Sequence, residues 1–222
     1  MISDKTERQI NIKVAFPIVA MALLMITIDS TIVATALHAL QQDLHASVGW
    51  VGWTMTAYSF GFVLMLPLSA KLSIQFGHRK IFLLSVATFT VASLLCGLAN
   101  NIYLLIVFRA LQAIGGAGIT PSVTGIIVKH FGRARDRFLG LFGSFFAIGG
   151  MIGPIFGGIF VTYWSWHWIF FINVPIGIII LMAATHVIPK DDITNGQTHR
   201  KIDFVGLSFL ALGLLLAMYS AT

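Results

Sequence analysis

Apolar residues in this chain arrive in runs of about twenty that hold almost no charge. That length carries a helix across roughly 30 Å of hydrocarbon at about 1.5 Å per residue. Seven such segments can be marked: Val14–Leu37, Trp50–Ala70, Ile81–Ala99, Tyr103–Val128, Phe138–Thr162, Ile169–Ile188 and Phe204–Thr222. Lipid offers a backbone no hydrogen-bond partners, so each segment must satisfy its own amides. The alternation of a barrel strand is absent, which leaves helices. The pattern predicts an all-α polytopic membrane protein of about seven spans.

Charge supplies the orientation. Only 10% of residues are charged, against about 25% for a soluble domain, and the mean hydropathy is +0.90. Thirteen of the 14 Lys and Arg residues fall on alternate connections. Lys5, Arg8 and Lys13 precede the first span, and Lys71, Arg79 and Lys80 lie between the second and third. Lys129, Arg133, Arg135 and Arg137 lie between the fourth and fifth, and Lys190, Arg200 and Lys201 between the sixth and seventh. By the positive-inside rule the N-terminus lies in the cytoplasm, and the chain is expected in the cytoplasmic membrane. The net charge of +6 is thus a topology signal, with no nucleic-acid partner implied. Trp50, Trp53, Trp164, Trp166 and Trp168 mark the opposite boundary, as an interfacial belt would.

The first run resembles a signal peptide only superficially. Ala34-Thr35-Ala36 offers a weak cleavage-like site, but the run is too long for a signal core and six spans follow, so it reads as a retained helix. The expected layout is a cytoplasmic N-terminus over 1–13, six helices over 14–188, a polar cytoplasmic linker over 189–203, and a seventh helix over 204–222 that looks cut short. The single cysteine, Cys96, leaves neither a disulfide framework nor a zinc site. No HExxH, GxSxG or intramembrane carboxylate pair occurs, which argues against an enzyme. The seven histidines lie mostly at loops or helix ends; His38 and His45, on the outer side, offer a weak case for pH sensing.

Of 14 basic and 8 acidic residues, only Asp29 and Arg109 lie inside spans. Each costs about 2.5–3.5 kcal/mol near a helix centre, so such residues point to function. Asp29 lies roughly 22 Å from the inner boundary, and Arg109 about 9 Å below the outer one, at 1.5 Å per residue. Both fall in the outer half at similar depth and can pair if their helices are neighbours. The functional reading is a protonatable carboxylate beside a guanidinium; the bland one is a structural ion pair. Gln112, one turn from Arg109, can extend the polar network. In the fifth span Gly149, Gly153 and Gly157 make a bare stripe for close helix packing, and Pro154 predicts a kink. Asn173 and Pro175 predict a local break in the sixth span, with kinking the favoured reading.

Four motifs together carry a family resemblance over essentially the whole chain. Gly149-xxx-Gly153-Pro154-xx-Gly157-Gly158 resembles the antiporter motif of exporters in the major facilitator superfamily. Asp29-Ser30-Thr31-Ile32-Val33, followed by Ala36-Leu37, resembles the first-helix signature of its fourteen-helix drug:proton antiporter branch. Arg109-Ala110-Leu111-Gln112 with Gly115, Gly116 and Gly118 is similar to its fourth-helix motif. Trp166-His167-Trp168-Ile169-Phe170-Phe171-Ile172-Asn173-Val174-Pro175-Ile176-Gly177 is similar to its segment entering the sixth helix. The loop Ala70-Lys71-Leu72-Ser73-Ile74-Gln75-Phe76-Gly77-His78-Arg79-Lys80 keeps the gate-loop residues Gly77, Arg79 and Lys80 but has Ile74 at the usual acidic position. That gate must be held in another way or more loosely.

The resemblance implies a six-helix N-terminal bundle whose C-terminal partner half lies outside this chain, so residues 1–222 alone are expected not to transport. It implies proton-coupled efflux of small, lipophilic molecules, with Asp29 and Arg109 as the coupling pair and no cofactor beyond the proton gradient. A symporter, a metabolite exporter and a truncated inactive product are the alternatives. The glycine stripe is expected to receive the second bundle. A cell with an outer membrane would add a periplasmic adapter.

Overall fold

The computed structural model describes residues 11–191, together with Gly206 and Gly213. The expected seventh span, apart from those two glycines, lies outside the described residues. Helix α1 (Ile12–Asp43) begins at Asn11, whose side chain accepts from the Lys13 amide at 3.2 Å. Helix α2 (Val48–Phe76) stops at Gly77, whose φ of +95° is readily open only to glycine. Helix α3 (His78–Gly97) follows at once. Helix α4 (Ile102–His130) is capped by Asn101, which accepts from the Tyr103 amide at 2.8 Å. A 3-10 turn at Gly132–Ala134 and the short α5 (Arg135–Gly140) lead into α6 (Phe142–Tyr163). The sixth apolar run is split into α7 (Trp168–Phe171) and α8 (Asn173–Val187).

Among the described residues, six helical stretches are long and apolar enough to cross a membrane, with 132–163 and 168–187 each counting as one. They match the first six expected spans, and the break at Ile172 falls where Asn173 and Pro175 predict it. The helices outrun the apolar segments: α1 continues to Asp43 rather than Leu37, and α2 to Phe76 rather than Ala70. Hydropathy marks the lipid-crossing part of a helix, whereas the helix itself runs on until something stops it. Ala39-Leu40-Gln41-Gln42 are good helix formers, and Gly77 is the stop.

Helix α4 packs between α2 and α3, α1 lies along α6, and α8 closes the bundle between α1 and α3. The buried side chains form two separate apolar clusters. One, toward the end bearing the basic loops, includes Leu23, Ile26, Phe82, Phe89, Ala113 and Ile180. The other, toward the tryptophans, includes Ile32, Val33, Cys96, Leu105, Ile169 and Phe170. On α1, α3, α4 and α8 a buried polar residue sits where one cluster gives way to the other: Asp29, Ser93, Arg109, Gln112 and Asn173. The bundle thus has a polar layer between two apolar ones. Helices α2 and α6 leave most of their apolar side chains uncovered.

The glycine stripe corrects one expectation. Gly149, Gly153 and Gly157 are buried against α1, inside this bundle, rather than offered to a second one. A Cβ at Gly149 would lie 2.6 Å from Thr27 Cγ2, one at Gly153 3.1 Å from the Ile28 carbonyl oxygen, and one at Gly157 2.8 Å from that of Ile32. Thr31 Oγ1 donates across the seam to the Gly149 carbonyl at 3.3 Å. Bare faces let the two backbones come this close. A Cβ at Gly158 would meet nothing within 4 Å, and Pro154 points outward.

Candidate functional site

The expected ion pair forms. Arg109 Nη1 donates to Asp29 Oδ2 at 2.7 Å, and the two side chains are 1% and 0% exposed. Depth counted along two antiparallel helices therefore located the contact. Gln112 joins it as the one-turn spacing suggested. Its Oε1 accepts from Arg109 Nη1 at 2.7 Å, and its Nε2 donates to Asp29 Oδ1 at 2.9 Å and to Ser93 Oγ at 2.6 Å.

Four further groups were not singled out for this role by the sequence. Asn173 Nδ2 donates to Asp29 Oδ1 at 2.8 Å. Arg109 Nε donates to the Thr54 carbonyl at 3.4 Å. The Tyr58 ring lies over the guanidinium, 4.0 Å from its Cζ, with Phe170 on another side at 5.7 Å. Among these, only Asn173 carried a sequence signal: a polar side chain inside a span, two residues before a proline. Tyr58 and Thr54 are ordinary span residues until α2 is seen beside α4.

Both carboxylate oxygens of Asp29 thus accept from donors on α4 and α8. Burying a charge in so apolar a bundle is costly, and pairing plus hydrogen bonding is what makes it tolerable. A cavity of about 290 Å³ opens beside the pair, with Arg109 and Tyr58 in its wall. Met55, Phe62, Val63 and Phe146 make it mainly apolar, while Thr27, Ser30 and Ser59 bring hydroxyls. The Tyr58 hydroxyl is buried and unpartnered among the described residues. Such a space suits a small, largely apolar molecule with few polar groups.

At the basic end, the loop with Ile74 in place of an acid is held by a different carboxylate. Asp191, after α8, accepts from the Arg79 amide at 2.8 Å through Oδ2 and from Lys129 Nζ at 3.1 Å through Oδ1. Its side chain also covers Gly77, where a Cβ would meet Asp191 Oδ2 at 2.7 Å. Arg79 Nη2 donates to the Thr185 carbonyl at 2.6 Å, and Lys80 lies over the Phe76 ring at 5.7 Å. The acid therefore comes from beyond the last helix, α8, and sits at the N-terminus of α3, where a negative charge is favourable.

At the other end, Trp166 Nε1 donates to Asp43 Oδ2 at 2.8 Å, tying the segment before α7 to the end of α1. His167 stacks on Trp166 with ring centroids 3.7 Å apart. Partial burial lowers the His167 pKa, partly opposed by the charge of Asp43. No group of three or more metal-ligating side chains occurs among the described residues.

Comparison with known proteins agrees with this architecture. The chain is 34% identical over 203 residues to the Multidrug resistance protein B homolog of Mycobacterium tuberculosis, covering 91% of this chain and 37% of that one. It is 36% identical over 194 residues to the Tetracenomycin C resistance and export protein of Streptomyces glaucescens, covering 87% and 36%. It is 33% identical over 216 residues to Multidrug resistance protein 3 of Bacillus subtilis, covering 97% and 41%. The chain spans about two fifths of the length of these relatives. Among solved structures, a D-xylose-proton symporter has the same fold at a TM-score of 0.71 and 13% identity, over 95% of this chain and 53% of that one. These proteins are transporters rather than enzymes, and the profile of the Major Facilitator Superfamily matches residues 19–222. The chain, an all-α, multi-pass membrane protein, belongs to the Major Facilitator Superfamily.

Proposed function

We propose that this chain is the N-terminal bundle of a proton-coupled exporter that moves small, lipophilic molecules outward across the cytoplasmic membrane. The carrying observation is the buried Asp29–Arg109 pair beside an apolar cavity. The names of the relatives, two of them multidrug resistance proteins and one a resistance and export protein, support the drug-efflux reading. The basic loops favour a cytoplasmic N-terminus and linker.

In this reading a substrate enters the cavity from the cytoplasm or inner leaflet. A proton from outside then binds Asp29, the charge pair is cancelled, and the substrate leaves outward. Arg109 favours ionised Asp29 in one state and lets it go in the other. One charge moved through 100 mV supplies about 2.3 kcal/mol. Alternating access needs two halves rocking about a midplane site, so a C-terminal half is part of the working unit. The proton gradient is the energy source, and a periplasmic adapter would join where the cell has an outer membrane.

The test is efflux of a fluorescent lipophilic cation from cells expressing the full-length gene, with and without a protonophore, for wild type and Asp29→Asn. The expected result is protonophore-sensitive efflux that the variant loses while still accumulating in the membrane. Wild-type efflux by Asp29→Asn would make the pair structural. Uptake of the cation rather than extrusion would mark a symporter.

A further inference from the structure

We infer that Asn173 is the positioning residue that holds Asp29 in its ionised state and ties that state to the outer part of the sixth span. This rests on the reading of Asp29 as the proton carrier. Asn173 is 2% exposed and opens α8 at the break that follows α7. The break is local chemistry: Pro175 has no amide to donate, so the helix restarts here. Gly177 brings the new helix close, since a Cβ there would overlap the Thr90 side chain of α3. On the other side of α7, Trp166 is fastened to Asp43. The segment carrying Asn173 is therefore tied to α1 at two points, one of them Asp29 itself.

The direction of the hydrogen bond follows from the partner. An ionised carboxylate only accepts, so the Asn173 amide must present its NH₂ to Asp29 Oδ1. Gln112 donates to the same oxygen, but both ends of its amide are engaged elsewhere as well, with Arg109 and Ser93. Arg109 has only donors to offer. A proton arriving on Oδ1 needs an acceptor, and Asn173 supplies one by turning its amide over. It can do so because it stands on the separate element α8, at a break. The charge-assisted bond from Asn173 is then replaced by a weaker neutral one, which loosens the tie between α1 and the sixth span just as Asp29 becomes neutral.

The charged and titratable groups facing Asp29 are few. Arg109 comes from α4, Tyr58 from α2 and Cys96 from α3, where its thiol contacts Gln112 Oε1 at 3.8 Å. Helix α6 has only Tyr163, at its far end, and α8 only His186, at the basic end.

The test titrates Asp29 directly in the purified full-length gene product. The protonated carboxyl C=O band is followed by infrared difference spectroscopy and assigned by its loss in Asp29→Asn. Asn173→Ala, and Asn173→Leu, which fills the space without a donor, are each expected to move the midpoint of that band up. Hydrogen bonds to charged groups are about twice as strong as neutral ones, so the expected shift is about one pH unit, or tenfold in proton affinity. Asn173→Gln, which keeps the amide, is expected to fall nearer wild type. A wild type that stays ionised throughout while the variants titrate is the same upward shift. If the alanine protein fails to accumulate, the leucine protein gives the reading. A midpoint equal to wild type in either folded variant overturns the proposal and leaves Asn173 as packing alone. Unchanged efflux in Asp29→Asn would instead remove the antiport reading, whichever way the band moves.

Discussion

Removing either partner of the Asp29–Arg109 pair should not be equally damaging, and the asymmetry is a sharp check on the site. In Asp29→Asn, Arg109 stays charged, because a guanidinium does not give up its proton in a protein. Its remaining contacts are the Gln112 amide oxygen, the Thr54 carbonyl and the Tyr58 and Phe170 rings. None carries a formal negative charge. A buried charge left without its partner costs about 3–5 kcal/mol. In Arg109→Gln, by contrast, Asp29 keeps the donors Gln112 and Asn173 and can take up a proton to neutralise itself. The loss there approaches that of hydrogen bonds alone, about 1–3 kcal/mol. The double variant, with an amide on each side, strands no charge.

Reversible unfolding of the full-length gene product in mixed micelles measures all four corners of this cycle. The expected order of stability is wild type, then Arg109→Gln and the double variant, then Asp29→Asn. The double variant should recover about 3 kcal/mol of the sum of the singles, at the upper end of the range seen for directly coupled residues. All three variants should fail to couple efflux to protons, so stability and transport move apart. Losses that add within about 0.5 kcal/mol would mean that the two groups act independently. The charge-pairing argument would then be refuted.

Three other outcomes follow from contacts already described. Gly153→Ala should cost about 1–3 kcal/mol through overpacking, while Gly150→Ala, with nothing within 4 Å, should be neutral or gain up to about 1 kcal/mol of helix propensity; thermal melts of the two proteins compare them. Asp191→Ala removes the acceptor for the Arg79 amide and the partner of Lys129 and should cost about 1–2 kcal/mol in the same melts, as loss of a helix cap does, with Asp191→Asn recovering part of it. The lowered pKa of His167 means that the folded protein binds its proton less readily than the unfolded chain. That group's contribution is therefore full above its ordinary pKa of about 6.5 and declines as pH falls below it. Melts taken from about one pH unit above that value to about one below it should show a loss on acidification that His167→Asn reduces.

Much of the architecture was readable because the membrane enforces it. A run that crosses hydrocarbon must be apolar, helical and about twenty residues long, so the six described spans stand where the runs stand. Helix ends were less legible: nothing in the hydropathy of α2 says that it continues past Ala70 to Gly77. The Asp29–Arg109 contact was legible through rise per residue alone, since two charges at one depth in one bundle have strong reason to meet. The partner of the glycine stripe was not. A bare face of α6 invites any helix equally, and only the threonines of α1 lying against it reveal which one came. Asp191 escaped for a related reason. Ile74 showed that the gate loop lacked its acid, but a substitute from beyond α8 leaves no mark near that loop.

Asn173 illustrates the deeper limit. Its sequence neighbourhood accounts fully for a helix break, so the bland reading needed nothing more. What changes its standing is that the break lies in the polar layer between the two apolar clusters, at the level of Asp29. There a break exposes an amide to a buried carboxylate, whereas one turn away it would only bend a helix. With Gln112 and Asn173 on one oxygen and Arg109 on the other, both acceptor positions of Asp29 Oδ1 are taken. A proton placed on Oδ1 therefore requires one of its two donors to turn or withdraw. Of the three, Arg109 and Gln112 stand on one continuous helix, and Asn173 stands at a joint. In the proposed reading, a proton on Asp29 therefore loosens the hold on the sixth span, which is the property a coupled transporter requires of its acid.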